Sequence, residues 1–285
     1  MRPITKSLLL SCCFAFLSQS VFAEDDEVSI VGGAAYSFKR TQFDISGKAF
    51  RPEYTTIEWS VIAAYQSFYV KAGFDQSIKD HVQINNTPSG GGGSNDNSGI
   101  AFSRDDINIT FGYSLLDNLS LFAGYTQGET VGVLGGQMRV DSSFPFTLAI
   151  PQVLFTTQEV SFKQKGPYLG VSYSYYLQDS GSFNFSLAYA SLDGDVFFKE
   201  TSTQISPATA AGNPGDVTNQ VNEVDGESAG LSYGVTWTDQ FSEGMLYSLS
   251  LKTVRYKFEE PSLGPDNLNF DDIYNIFSIG FSKFF

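Results

Sequence analysis

The feature that most restricts this chain is a two-residue rhythm of side-chain size. In 106–115, Ile107, Ile109, Phe111, Tyr113 and Leu115 alternate with Asp106, Asn108, Thr110, Gly112 and Ser114. In 228–238, Ala229, Leu231, Tyr233, Val235 and Trp237 alternate with Ser228, Gly230, Ser232, Gly234, Thr236 and Thr238. From Ser182 onward, Phe183, Phe185, Leu187 and Tyr189 alternate with Asn184, Ser186, Ala188 and Ala190. Successive side chains of an extended strand point to opposite faces, so each segment carries one bulky apolar face and one small polar face.

Applied along the chain, this template predicts ten strands, at 28–39, 54–65, 68–78, 104–115, 119–128, 167–177, 182–199, 227–238, 245–258 and 272–285. Short turns join them at Gln66-Ser67, Leu116-Asp117-Asn118, 178–181 and 239–244, and long connections occupy 40–53, 79–103, 129–166, 200–226 and 259–271. Short and long connections alternate strictly, and an even strand number returns both ends to one side. That is the layout of an antiparallel up-and-down transmembrane β-barrel. The expected fold is therefore all-β, one barrel domain over 24–285 with about ten strands, twelve or eight being the alternatives.

A secreted β-sandwich or lipocalin-like barrel would show the same period with its apolar face turned inward. Two observations favour the membrane. The polar face is mostly Ser, Gly, Thr and Ala, which suits a narrow lumen better than a solvated exterior. The apolar faces also end in Tyr65, Tyr113, Tyr189, Trp237 and Tyr247, as expected at membrane–water interfaces. At the N-terminus, Arg2 and Lys6 precede an apolar stretch over 7–17, Val21-Phe22-Ala23 and the acidic run 24–27. This order predicts a secretory signal peptide over 1–23, cleaved after Ala23. Both cysteines, Cys12 and Cys13, lie within it, so disulfides and thiolate metal sites are not expected in the mature part. Removing Arg2 and Lys6 leaves 15 basic against 31 acidic residues, a net charge of −16 that disfavours nucleic acid as a partner.

Phe277, Ile279, Phe281 and Phe285 share one parity in the last strand, with Lys283 interrupting the series. This segment resembles the C-terminal signature of bacterial outer-membrane β-barrel proteins, small porin-like barrels of Gram-negative bacteria among them. The resemblance implies export by a cleaved signal peptide, insertion by the barrel-assembly machinery, and contact with outer-membrane lipid and lipopolysaccharide. It implies no activity, because barrels of this kind serve as pores, enzymes, adhesins and anchors.

Charges assigned to the lumen are few: Glu58, Lys71, Asp75, Arg104, Asp106 and Glu227, a candidate constriction. Counting back from a turn at Gln66-Ser67 sets Glu58 opposite Asp75. Like charges so placed need a neighbouring cation or a shared proton. His81 is the only histidine. Omptin proteases, ten-stranded barrels, use a histidine close to aspartates on facing walls, whereas Asp80 and His81 are merely adjacent in sequence, so no enzyme is expected. No cofactor or metal motif is present; the glycine-rich run 89–99 reads as an external loop. The connection 129–166 is unusually apolar at Phe144, Phe146, Leu148, Ile150, Leu154 and Phe155. Its expected role is a plug folded into the barrel, with an extra hairpin or an exposed patch as alternatives; Pro145 and Pro151 count against regular strands. The leading functional expectation is a narrow porin-like channel for small solutes or ions, favouring cations. The alternative is a non-conducting surface barrel acting as adhesin, receptor or structural protein through long acidic external loops.

Overall fold

The computed structural model describes residues 28–45, 48–79, 81–85, 98–140, 152–177, 180–205, 217–260 and 269–285. The strands are β1 (Ser29–Ile45), β2 (Lys48–Phe50), β3 (Glu53–Tyr65), β4 (Phe68–Lys79), β5 (His81–Asn85) and β6 (Ser98–Leu116). They continue as β7 (Leu119–Val140), β8 (Gln152–Tyr176), β9 (Ser182–Ile205), β10 (Val217–Ser242), β11 (Met245–Glu259) and β12 (Asn269–Phe284). Ten of these form the wall of an antiparallel up-and-down barrel. The other two are short: β2 pairs only with the end of β1, and β5 pairs only with β6. Pairing of β1 with β12, from Val31–Phe284 to Phe43–Asp272, closes the wall.

The wall is staggered as well as closed. Passing from Val31 through Ile62, Lys71, Thr110, Gly124, Tyr168, Ala190, Gly230, Tyr256 and Asp272 leads back to Phe43, a stagger of 12 residues (43 minus 31). With a rise of ~3.3 Å per residue and ~4.7 Å between strands, that stagger tilts the strands by about 40°.

All four short turns lie at one end, and both ends of the barrel wall, at Ser29 and Phe284, lie there too. Gly181 and Gly244 adopt positive φ at 77° and 72°, which tight reversals require and a Cβ disfavours. The bulky faces point outward: Trp59, Phe111, Leu169 and Phe281 are 55–63% exposed. A soluble barrel would bury them. This exposed apolar face needs a non-aqueous surrounding.

The lumen is filled by large side chains from the wall itself. Near the turn end, Val31, Ile62, Ala64, Tyr69 and Phe122 form an apolar floor, with Tyr168 and Phe284 packed against it. Toward the opposite end, Phe162, Val196, Phe258 and Phe270 form an aromatic cap. Phe162 meets Phe258 edge-on at 5.6 Å between ring centroids, and Phe258 stacks on Phe270 at 5.0 Å. Glycines provide the space for these rings. Gly112 lies under the Tyr69 ring, and Gly194 and Gly226 lie against Phe258.

Three sequence expectations are corrected here. The long connections are shorter than predicted, because 98–103, 129–140, 152–166, 200–205 and 217–226 continue the ladder. Beyond the lipid band both faces of a strand meet water, so alternation fades while the backbone pairing persists. Leu154 and Phe155 pair with Met138 and Gln137 on one side and Gln204 and Thr203 on the other, so their backbone is barrel wall and not an infolded plug. The remaining plug residues, Phe144, Phe146, Leu148 and Ile150, lie outside the described residues, as do the signal segment and Ala23. Finally, among the described residues no extra hairpin is added; existing strands are lengthened.

Replacing Gly112 with Val places methyl groups where the Tyr69 ring sits. It is expected to destabilise the barrel by about 1–3 kcal/mol. Urea unfolding in detergent, read by the difference in gel mobility between unheated and heated protein, checks this. Adding Tyr69→Ala should recover most of the loss.

Candidate functional site

Between the floor and the cap lies a polar layer. Along β12 the inward residues run from cap to floor as Phe270, Asp272, Tyr274, Ile276 and Ser278. Along β11 they run Phe258, Tyr256, Val254, Lys252 and Ser250. The layer encloses a cavity of about 220 Å³ lined by charged, hydroxyl and aromatic side chains.

The register sets Glu58 opposite Asp75, and Asp75 in turn opposite Asp106, a row of three carboxylates on β3, β4 and β6. Each is matched by a cation. Lys71 donates to Glu58 at 3.1 Å. Lys39 donates to Asp75 and, at 3.3 Å, to Asp106. Arg104 donates from Nε to both Asp106 oxygens, at 2.9 and 3.0 Å, and its Nη2 lies 2.8 Å from Oδ1. The remaining guanidinium capacity crosses the lumen: Nη1 donates to Thr130 at 2.9 Å and to the Tyr274 hydroxyl at 2.6 Å. Tyr274 passes its own proton toward Asp272, and Arg104 lies 4.6 Å from the Tyr274 ring centroid. Gln164 donates to Ser228 at 2.9 Å and offers its carbonyl oxygen to Arg104 at 3.5 Å. A guanidinium has five donors in one plane, so Arg104 ties β6, β7 and β12 at once, which a lysine could not do.

Five of the six lumen charges expected from sequence line this cavity: Glu58, Lys71, Asp75, Arg104 and Asp106. Glu227 does not. It is exposed and shares the outward parity of Leu231 and Tyr233, while its neighbour Ser228 is buried against Gln164. The parity count that placed it inward was off by one residue, and a slip of one turns a side chain through the wall. Sequence reasoning also missed Lys39, Lys252, Gln164, Tyr54, Asp272 and Tyr274. Lys252 was detectable, since it continues the parity of Ser248 and Ser250, opposite to that of Leu249 and Leu251. Lys39 was hidden by Ala34, Ala35 and Arg40, which blur the alternation of β1. His81 pairs through its backbone with Phe102 on β5–β6.

No family model matches the chain, and no curated protein matches it. Among solved structures, the outer membrane protease OmpT from Escherichia coli aligns with a TM-score of 0.52 at 11% identity, covering 90% of this chain and 97% of that one. This chain has the fold of a bacterial outer-membrane β-barrel. The toluene transporter TbuX of Ralstonia pickettii also aligns, with a TM-score of 0.41 at 11% identity over 90% of this chain and 89% of that one.

In such a barrel the short-turn end faces the periplasm and the long hairpins face out. The floor of this outer-membrane barrel is therefore periplasmic, and the aromatic cap lies on the outer side of the ion layer. On β12 of the barrel, Phe277, Ile279 and Phe281 face outward at 41–58% exposure and Phe285 is 78% exposed. Lys283, the interruption in that series, places its ammonium 5.6 Å from the Phe285 ring centroid.

Arg104→Leu leaves Asp106 with only Lys39, 3.3 Å away and shared with Asp75, and should destabilise the barrel by about 3 kcal/mol. The double variant Arg104→Leu/Asp106→Leu is expected to be distinctly less damaging, because neither charge is then left alone. Equilibrium unfolding of the three proteins in the same detergent provides the comparison.

Proposed function

We propose that this protein is a barrel closed to solute flow that acts at the cell surface, as a receptor or adhesin, through the sheet its middle strands raise above the membrane. The observation that carries the reading is the aromatic cap. Phe258 is 0% and Phe162 and Phe270 are each 4% exposed, so the lumen has a packed lid above a charge-paired layer. A conducting pore needs a continuous wet path, and large barrels that conduct leave their lumen unfilled.

Strand length supports the second half of the reading. β7, β8, β9 and β10 have 22, 25, 24 and 26 residues, whereas a tilted strand crosses a bilayer in about 9–11. The excess stands outside the lipid. There it carries cross-strand charge pairs such as Lys163 with Asp195 and Lys165 with Asp193, and the exposed acidic residues Glu223, Asp225 and Glu227. A twisted, charged sheet of this kind is a recognition surface that resists edge aggregation.

The rest of the reading is carried by the sequence. The chain is exported by a signal peptide cleaved after Ala23, and the assembly machinery reads Phe277, Ile279, Phe281 and Phe285. The wall contacts lipid and lipopolysaccharide, with neither cofactor nor nucleic acid involved. The lumen carboxylates are tied to Lys39, Lys71 and Arg104, which supports a structural role for them over hydrolysis of the kind named for OmpT. A narrow channel for small solutes or ions is the competing reading.

Planar-bilayer recording separates the two. The refolded protein is expected to give no discrete current steps in either polarity, while Phe258→Ala/Phe270→Ala, which thins the cap, should produce them. Regular steps from the unmodified protein overturn the closed reading.

A further inference from the structure

The ion layer is unevenly compensated. The cavity is lined by four cationic side chains, Lys39, Lys71, Arg104 and Lys252, against three carboxylates, Glu58, Asp75 and Asp106. The first three cations are matched, as described. Lys252 has no carboxylate within 4.0 Å among the described residues, although its side chain is accessible within the lumen. Asp272 does not supply the missing charge. Lys252 pairs with Ile276 and Tyr256 with Asp272, so Asp272 lies four residues farther toward the cap, where it accepts from Tyr274.

Glu58, the carboxylate that acts most strongly on Lys252, is already bonded to Lys71, so this solvent-accessible ammonium shares a cavity with one carboxylate fewer than its cations. Around Lys252 the wall offers hydroxyls from neighbouring strands: Ser186 on β9, Ser232 on β10, Ser250 on β11 and Ser278 on β12. Gly234, its cross-strand neighbour on β10, leaves the space beside its stem open. Ser278 already bonds Ser37 and Ser250 accepts from Thr236, so Ser186, Ser232 and the Ser250 proton are the donors left beside the ammonium; that is the chemistry of a small-anion site, and the excess is one charge. We propose that the lumen cavity binds a single small monovalent anion, of halide or nitrate size, against Lys252.

Polar groups below the cavity indicate how the anion enters. Ser248 Oγ, Ser282 Oγ and Asn184 Oδ1 are buried without a hydrogen-bond partner among the described residues. They sit on β11, β12 and β9 between Lys252 and the periplasmic turns. Buried polar atoms of this kind are ordinarily satisfied by ordered water. The β9–β12 side is therefore the polar side of the floor, and the anion enters there from the periplasm while the cap closes the outer side. Only this side of entry rests on the closed-barrel reading; the site itself does not.

Thermal unfolding of the refolded full chain tests the site, with sodium bromide exchanged for sodium gluconate at constant ionic strength. The expected result is a saturable rise of about 2–4 °C once bromide exceeds its dissociation constant tenfold. The rise should be lost in Lys252→Met and kept in Lys252→Arg. No saturable rise, or an equal rise in Lys252→Met, overturns the proposal. Should Lys252→Met fail to refold, anomalous diffraction from the unmodified protein in bromide decides instead: a bromide peak beside Lys252 Nζ sustains the site and an empty cavity refutes it. A conducting barrel that still shows the bromide effect would remove the closed reading and leave the anion site standing.

Discussion

In lipid there is no water to satisfy a backbone N–H or C=O, and every other feature of this barrel follows from that constraint. The β1–β12 ladder meets it by removing both edges of the sheet, over the run from Val31–Phe284 to Phe43–Asp272. Closing ten strands with a stagger of 12 residues then determines the tilt and with it the width of the lumen. That width is too large to be filled by serine and glycine alone. The interior must therefore be packed, flooded or both, and the stack of floor, ion layer and cap is the outcome.

The stack separates two tasks. The apolar floor and cap contribute packing, as Phe122 on Gly170 and Phe258 on Gly194 and Gly226 illustrate. The ion layer contributes connections across the lumen: Lys39 links β1 to β4 and β6, and Arg104 links β6 to β7 and β12. Burying so many charges is costly unless each finds a partner. Among the described cations of the cavity, Lys39, Lys71 and Arg104 each pair with a carboxylate, and Lys252, which has none within 4.0 Å, is the solvent-accessible one.

Omitting Lys39 had a definite consequence for the sequence reading. The predicted facing pair Glu58 and Asp75 is present at the expected register, and the need for compensating cations followed from it. Lys71 was available for Glu58, but the partner of Asp75 comes from β1, 36 residues away in sequence and reaching across β3, which pairs with both β1 and β4. The charges lining the lumen are nearly balanced, and exposed acidic residues such as Glu223, Asp225 and Glu227 stand outside it.

Within the lipid band, alternation reports which face is wet, because only there do the two faces of a strand meet different surroundings. For that reason the sequence alone determined the strand number, the short turns at Gln66-Ser67 and Gly244, and the outward set from Ile107 to Leu115. Above the band that difference vanishes, and the lengths of β7 to β10 were decided only by tertiary pairing. So was the content of the lumen. Phe162, Phe258 and Phe270 come from three strands, and their meeting depends on the stagger, a property of the closed ring that no single strand encodes.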